Sequence, residues 1–547
     1  MKRWLVAIPI VLALILTPSL SGSAGTSPSA DAAAPARPNI VFILMDDFSL
    51  ELLQTMPRAL RMAAEGASYD NAFVVDSLCC PSRTSLLTGQ APHQTGVLTN
   101  TPRDPAHPVG GYAAFAYHHT GLRTFNRHLQ AGGYRTGFIG KFLNGYEVHR
   151  RDGRVVPPRR LPGWNDLQVV FGGGYSGWGF WSSYVENGEF KVRHHPRPPL
   201  SASIARRDRH YSTNVMARKA VRFIREHRDD RAPYFLEIAT YGPHAALTPA
   251  YRDDPRYPPA FRDRPSADRP GGNCGARACS TLSLKDLEGY DDPRGDNAPV
   301  FLHSGAARVA PAWRTNAITL TDSIALKAYR DRARMVQSID RLVGRIRREV
   351  GPNTYVVLTA DNGFHLGQHQ LNGGKGTPYD SDTRVPLVVV GPDVAPGTRS
   401  QFVSNLDLAS TFEDLARVDS PAFRSGRSFA PSLRQPEAAG NRFAFFEHTY
   451  GRSQPGEVDN DKGVGGTLDI IPSYVAVRSA RGLLVRLDLD NSWDGTRYAW
   501  ELYRYDVPWE DRNVFTEDHD KAWAVDLRRR LRLFDGCTPA ECREAAR

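Results

Sequence analysis

The amino-acid sequence predicts an α/β protein: a large, mostly parallel sheet sandwiched between helices, followed by a smaller C-terminal antiparallel-sheet subdomain. Three observations predict it. Continuous apolar runs ending in polar residues recur along the chain, as in strands buried on both faces of a parallel sheet. Amphipathic segments of helical period lie between them. Past Arg442 the texture changes to short strand-like runs separated by turns.

The elements follow in order. Lys2 and Arg3 precede an apolar stretch from Trp4 to Leu16, and the small residues Gly22, Ser23 and Ala24 come next, the pattern of a secretory signal. The stretch is short for a membrane span of about 20 residues. No cysteine follows it to carry a lipid, so an exported protein with no stable membrane anchor is expected. Residues 1–33 are set aside as signal peptide and Ala/Pro/Ser-rich linker. Residues 34–430 are expected to form the main domain and 431–547 the C-terminal subdomain.

The buried strands are "NIVFILMDD" from Asn39, "TYVVLTADNG" from Thr354, "VPLVVVGPD" from Val385 and, less cleanly, "YFLEIATYGPH" from Tyr234. Tyr329 to Val350 reads as a helix, with Val336, Ile339, Leu342, Val343, Ile346 and Val350 on one face. Leu122 to Gln130 reads as another, stopped by Gly132 and Gly133. Tyr251 to Gly305 lacks periodicity and reads as a long surface loop that shapes substrate entry. "RFAFFEH", "SYVAVRS", "GLLVRLDLD" and "WELYRYDV" supply the second sheet, and the basic helix "KAWAVDLRRRLRLF" packs on it.

Sites in such sheets form beyond the carboxyl ends of the strands. Asp46, Asp47, His244, Asp361 and Asn362 should therefore meet on one rim. Asp46, Asp47, Asp361 and Asn362 are short oxygen donors, the set a hard divalent cation takes, and loop geometry favours calcium over magnesium. Either pair alone could cap a helix. Both together, on equivalent strand ends, point to a metal.

A hydrophobic content of 41% and a charged content of 23% are ordinary for a globular chain. The formal net charge of +10 favours anionic partners such as sulfated or phosphorylated molecules. Of six cysteines, Cys274 with Cys279 and Cys537 with Cys542 read as two local disulfides in an exported protein. No histidine stands at zinc-finger spacing around either pair. Cys79 and Cys80 remain, and neighbours bridge each other only with strain. Pro81 suits the first turn of a helix, which puts Cys79 just ahead of its N-terminus, where free N–H groups lower a thiol's pKa. Arg83 follows one turn in. On the residues alone, a hydrolase nucleophile and a packed core thiol both stay open.

Cys79-Cys80-Pro81-Ser82-Arg83, followed by Leu87-Thr88-Gly89, resembles the C-x-P-S-R-x-x-x-L-T-G signature of type I, formylglycine-dependent sulfatases of the alkaline phosphatase-like superfamily. The resemblance runs from about Pro38 to Phe515. It implies that Cys79 is converted to formylglycine by a formylglycine-generating enzyme, while Cys80 is a buried structural thiol. It implies calcium held by Asp46, Asp47, the modified Cys79, Asp361 and Asn362, with Arg83 beside the nucleophile and Asp361 as its base. "GYRTGFIGKF" places Lys141, and "GGKGTPYDSDTRVPLVV" places Lys375, where the family contacts sulfate. "GPHAALTP" offers His244 as the active-site histidine, and His244 or Lys375 would protonate the leaving alcohol.

The pattern departs from the family once. Leu143 stands where many arylsulfatases carry a second histidine, and Asn144 beside it is the candidate supporting donor. His365 is expected in a supporting role near the site and His369 on the adjoining loop; their helix-like spacing admits zinc, but the neighbouring acids favour calcium. "GKFLNGY", "LCCPSR" and "DNGFHLGQH" look most like N-acetylglucosamine-6-sulfatases, which implies a sulfated sugar of glycosaminoglycan type, or an aryl sulfate, as substrate. Two alternatives stand beside this: a phosphodiester or phosphonate ester hydrolase, and a non-catalytic binder of sulfated glycans if Cys79 stays unmodified. No nucleic-acid partner is expected.

Overall fold

Asn39–Met45 shows why the chain folds as it does. Val41, Ile43 and Met45 pack into one apolar core, and Ile40, Phe42 and Leu44 pack into another on the opposite face. A strand apolar from its second residue to its last must be covered on both sides, because successive side chains point to opposite faces. The computed structural model describes residues 36–101, 104–292, 296–303, 306–310, 320–449, 471–489 and 498–547. The expected signal peptide and linker, 1–33, lie outside them. Among the described residues, no helix is long and apolar enough to cross a membrane.

Asn39–Met45 is central in a sheet of ten strands among the described residues. It pairs in parallel with Thr354–Ala360 on one side and Tyr234–Ala239 on the other. Arg135–Gly140 and Asp166–Gly172 continue the parallel set, and the hairpin Phe180–Glu186 and Glu189–His195 closes that edge. One face is covered by Pro57–Glu65, Ser212–His227, Asp322–Met335 and Gln337–Glu349, the other by Cys79–Thr88, Phe125–Ala131 and Asp407–Leu415. Among the described residues the second sheet is six-stranded and antiparallel. Its order runs Ala306–Val309, Val300–His303, Tyr498–Arg504, Gly482–Asp488, Ser473–Ser479 and Phe443–His448. The basic helix Ala522–Phe534 packs on it, and a further helix, Pro539–Ala545, follows. The α/β class, the mostly parallel sheet and the smaller antiparallel sheet are as the sequence predicts.

Four expectations change. Val388–Val390 is a strand, but it runs antiparallel to Thr354–Ala360 and to Ala67–Phe73; an apolar run reports burial and not direction. The long helix breaks at Val336 into Asp322–Met335 and Gln337–Glu349. Gln337 Nε2 donates to the Ala333 carbonyl at 2.8 Å and to the Thr55 carbonyl at 3.1 Å, so a side-chain amide takes the place of a rung in the backbone ladder. The predicted helix at Leu122 begins instead at Phe125, because Thr124 is extended (φ −76°, ψ 144°) and Leu122 belongs to a separate turn. The stretch from Tyr251 is not a surface loop throughout: Tyr251, Tyr257, Ala260, Leu282 and Leu287 are buried, and Val300–His303 enters the second sheet. Gly305 itself lies outside the described residues.

Both local disulfides are present, Cys274–Cys279 and Cys537–Cys542. Cys79 and Cys80 take part in neither disulfide and are wholly buried.

Candidate active site

The carboxyl ends of the parallel strands bring the predicted residues together. Asp46 and Asp47 follow Asn39–Met45, Lys141 follows Arg135–Gly140, His244 lies past Tyr234–Ala239, and Asp361 and Asn362 follow Thr354–Ala360. Cys79 opens the helix Cys79–Thr88, whose start faces this rim. Its Sγ lies 3.5 Å from Asp46 Oδ1 and 3.7 Å from Asp47 Oδ1. Asp46, Asp47, Cys79 and Asp361 each place a ligand atom within 4.8 Å of the others.

Three cations interleave with three carboxylates. Arg83 donates from Nε to Asp361 Oδ2 at 2.8 Å and from Nη2 to Asp46 Oδ1 at 3.5 Å. Lys141 Nζ donates to both Asp46 oxygens, at 2.7 and 2.8 Å. Lys375 Nζ lies 2.6 Å from Asp47 Oδ1 and 2.8 Å from Cys79 Sγ. Burial opposes charge on Asp361, yet Arg83 and Lys141 outweigh it and hold the carboxyl below its ordinary range. Burial likewise works against Lys141, and Asp46 and Cys79 more than compensate, so its ammonium is held firmly protonated.

The thiol is the correction. Burial pushes Cys79 well above its ordinary value, against the pull of Lys141 and Lys375. A helix N-terminus in a dry site does not outweigh desolvation with Asp361 and Asp46 nearby. The unmodified thiol is a poor nucleophile here.

His244 lies 3.5 Å through Nε2 from Asp47 Oδ2, and its Nδ1 donates to the Ala245 carbonyl at 2.6 Å. That bond puts the neutral ring's proton on Nδ1 and leaves Nε2 to exchange protons with the site. His365 Nδ1 sits 2.9 and 3.0 Å from the two oxygens of Asp382. Asp382 also receives the Thr377 N–H and hydroxyl, so His365 braces the turn that carries Lys375. The second sheet holds the same segment. Tyr474 donates to the Gly376 carbonyl at 3.0 Å, Tyr379 to Glu501 at 2.9 Å, and Arg478 to Asp380 at 3.1 Å. His369 stands apart from the cluster, between Asp292 and Glu510 at 3.2 Å each.

Asn144 meets the cluster through Tyr175. Its Oδ1 accepts from the Tyr175 hydroxyl at 3.4 Å, and its backbone N–H faces Cys80 Sγ at 3.3 Å. Tyr175 is the residue the sequence reading missed. Its ring lies 5.0 Å from Lys141 Nζ and 4.5 Å from the His244 ring, and it is half-buried where the rest of the cluster is buried. It therefore stands between the site and solvent. The signal for it was the run Gly172-Gly173-Gly174-Tyr175-Ser176-Gly177, whose glycines allow close approach: a Cβ on Gly174 would meet the Tyr241 ring at 2.6 Å. Arg332 was missed as well. Its Nη2 donates to the Asp47 carbonyl and steadies a residue in left-handed conformation (φ 54°). An arginine one turn before the core-facing Val336 was the available clue.

A sequence profile of the sulfatase family matches residues 38–418. The chain belongs to the sulfatase family. It is 30% identical over 428 residues to an extracellular sulfatase SULF-1 homolog of Drosophila melanogaster, an alignment covering 74% of this chain and 32% of that protein. It is 28% identical over 420 residues to the N-acetylglucosamine-6-sulfatase of Homo sapiens, covering 74% of this chain and 65% of that one. The chain thus aligns with about a third to two thirds of these relatives' own length. Among solved structures, one in complex with its substrate D-glucosamine-2-N,6-O-disulfate has a TM-score of 0.60 at 20% identity, covering 93% of this chain and 98% of that one. A phosphonate monoester hydrolase from Silicibacter pomeroyi has a TM-score of 0.56 at 18% identity, covering 90% and 94%. At these identities the two structures share the fold.

The donor set of this sulfatase-family chain fits a divalent cation. Beyond the clustered acids, Asn362 Oδ1 is buried without a hydrogen-bond partner among the described residues. An orphaned oxygen beside three carboxylates is a ligand set for an oxygen-seeking ion.

Proposed function

We propose that the protein is a secreted sulfatase that hydrolyses the sulfuric ester of a sulfated sugar. The reading rests on one observation: Cys79, at the family's signature position, lies within reach of Asp46, Asp47 and Lys375 in a dry cluster. Asp46, Asp47, Asp361, Asn362 and the side chain at 79 would hold calcium, which supplies positive charge to a sulfuryl oxygen. Formylglycine at 79 would supply a hydrated aldehyde as nucleophile. Cys79 is wholly buried, so its conversion by a formylglycine-generating enzyme requires the chain before it folds.

The chain's own residues do the rest. Lys141 and Lys375 converge from opposite sides and neutralise charge that builds on the sulfuryl group; preorganised cations in a dry site are worth several kcal/mol. Arg83 keeps Asp361 ionised and so able to accept a proton. His244, its Nδ1 proton committed to Ala245, delivers a proton from Nε2 to the leaving alcohol. Tyr175 borders the side from which that alcohol departs. The relatives' names and the sequence branch support a 6-sulfated amino sugar.

Two measurements test this. Mass spectrometry of the peptide carrying Cys79 should show a loss of about 18 Da, thiol to aldehyde. Parallel turnover of a 6-sulfated amino sugar, an aryl sulfate and an aryl phosphate should favour the sulfates. A strong preference for phosphate overturns the sulfatase reading, and an unmodified thiol with glycan binding but no turnover makes the protein a binder.

A further inference from the structure

Away from the rim, two helices lie side by side on one face of the sheet. Ser212–His227 leads into Tyr234–Ala239, and Gln337–Glu349 leads into Thr354–Ala360. Both strands pair in parallel with Asn39–Met45, so the two helices also run in one direction. Arg218, Arg222 and Arg225 stand at i, i+4 and i+7 on the first helix, one face of it. Arg341, Arg345 and Arg348 repeat that spacing on the second. Each row extends about 10 Å, at ~1.5 Å per residue.

Arg218, Arg222, Arg225 and Arg345 line a groove of about 680 Å³ floored by Ala217 and Val221. The acids of the lining are Glu349 and Glu226. Glu349 is taken by Arg225, at 2.6 and 2.8 Å, and Arg341 beside the groove is taken by Asp263, at 2.8 and 2.6 Å. Arg218, Arg222 and Arg345 form no ion pair among the described residues, which leaves Glu226 against three guanidiniums. Burial together with Arg209 and Arg345 pulls Arg218 below its ordinary range. Burial together with Arg341, Arg262 and Arg348 does the same to Arg345. Guanidiniums crowded in a concave site concentrate anions, and their planar forks match tetrahedral oxyanions.

We propose that this groove is a second binding site, for a sulfated polysaccharide whose sulfates meet Arg218, Arg222 and Arg345 and whose sugar face rests on Val221. The two helices pack against each other, so a ligand lies over their seam. None of the exposed large apolar side chains lines the groove, so it carries no wedge for a bilayer. The choice of a sulfated glycan rests on the function proposed above, and binding is measured without turnover, so the two ideas fail separately.

The test uses the full chain, a heparin oligosaccharide of defined length, and calorimetry at two salt concentrations. Arg218→Gln/Arg222→Gln/Arg345→Gln is compared with Arg150→Gln/Arg151→Gln/Arg154→Gln, which removes equal charge from an exposed hairpin elsewhere. The groove variant should lose at least about tenfold in affinity and the hairpin variant less than about threefold, because only the groove converges its charges on one ligand. Aryl sulfate turnover should be the same in both. Should the triple variant fold poorly, Arg222→Gln alone, at an exposed position, should still weaken binding. Equal losses in the two triple variants, no loss in the groove variants, or equally tight binding of a single-stranded oligonucleotide of matched length would each overturn the proposal.

Discussion

Arg83→Met isolates the electrostatics of the cluster. Arg83 and Asp361 are 3% and 0% exposed and 2.8 Å apart, and Arg83 also reaches Asp46. Removing one partner of a buried pair costs about 3–5 kcal/mol, because the other charge stays buried. Lys141 and Lys375 still offset Asp361, which sets the expectation at the lower end, about 3 kcal/mol. The sign with pH follows from the lowered Asp361. In the parent its contribution is present above about pH 4, the ordinary carboxylate value, and is lost as pH falls through the folded value below it. In the variant burial is no longer outweighed, so Asp361 takes up a proton more readily and escapes its penalty on acidification. Urea unfolding of chelator-treated protein, followed by tryptophan fluorescence, should show a gap that is widest at neutral pH, narrows on acidification and closes only below about pH 4. A gap under about 1 kcal/mol at neutral pH, or one of constant size across the range, refutes the reasoning.

Cys79→Ala should abolish turnover, while Cys80→Ala, deep in the apolar core, should cost about 1–2 kcal/mol of stability and keep the chemistry; equal loss of chemistry in both folded variants would reassign the nucleophile. Asp361→Ala should lower bound calcium by elemental analysis after dialysis, and unchanged content would break the proposed cage. Glu237, in the middle of Tyr234–Ala239, is pushed up to about 8 by burial, against a weak pull from Arg83. Its unfolded form ionises from about pH 4.5 while the folded form holds its proton, so the parent loses stability between those values. Glu237→Gln should therefore gain on the parent as pH rises, by up to about 5 kcal/mol near pH 8, and unfolding curves that stay parallel from acid to alkaline pH would contradict it.

The rim of the site was legible because its residues end apolar runs: a strand buried on both faces must finish in the polar groups that Asp46, Asp47, Asp361 and Asn362 supply. Strand direction was not legible, since Val388–Val390 reads the same either way. Nor was the break at Val336, which depends on Gln337 meeting Thr55, a residue distant in sequence. Tyr175 and Arg332 escaped for a related reason. Their contacts with Lys141, His244 and Asp47 join segments that no local period relates. The raised Cys79 thiol shows the same limit, because helix position is local and desolvation belongs to the whole fold.

The anchoring of the Lys375 turn by Tyr474, Glu501 and Arg478 has a practical side. A shortened form ending near residue 430 would keep the cysteine, the acids and Lys141, yet leave one ammonium on an untethered hinge. It would also expose the Val300–His303 edge, deprived of its neighbour Tyr498–Arg504, to pairing with other molecules. Anyone trimming this protein for crystallisation or display should expect clumping and a cluster with one of its cations adrift.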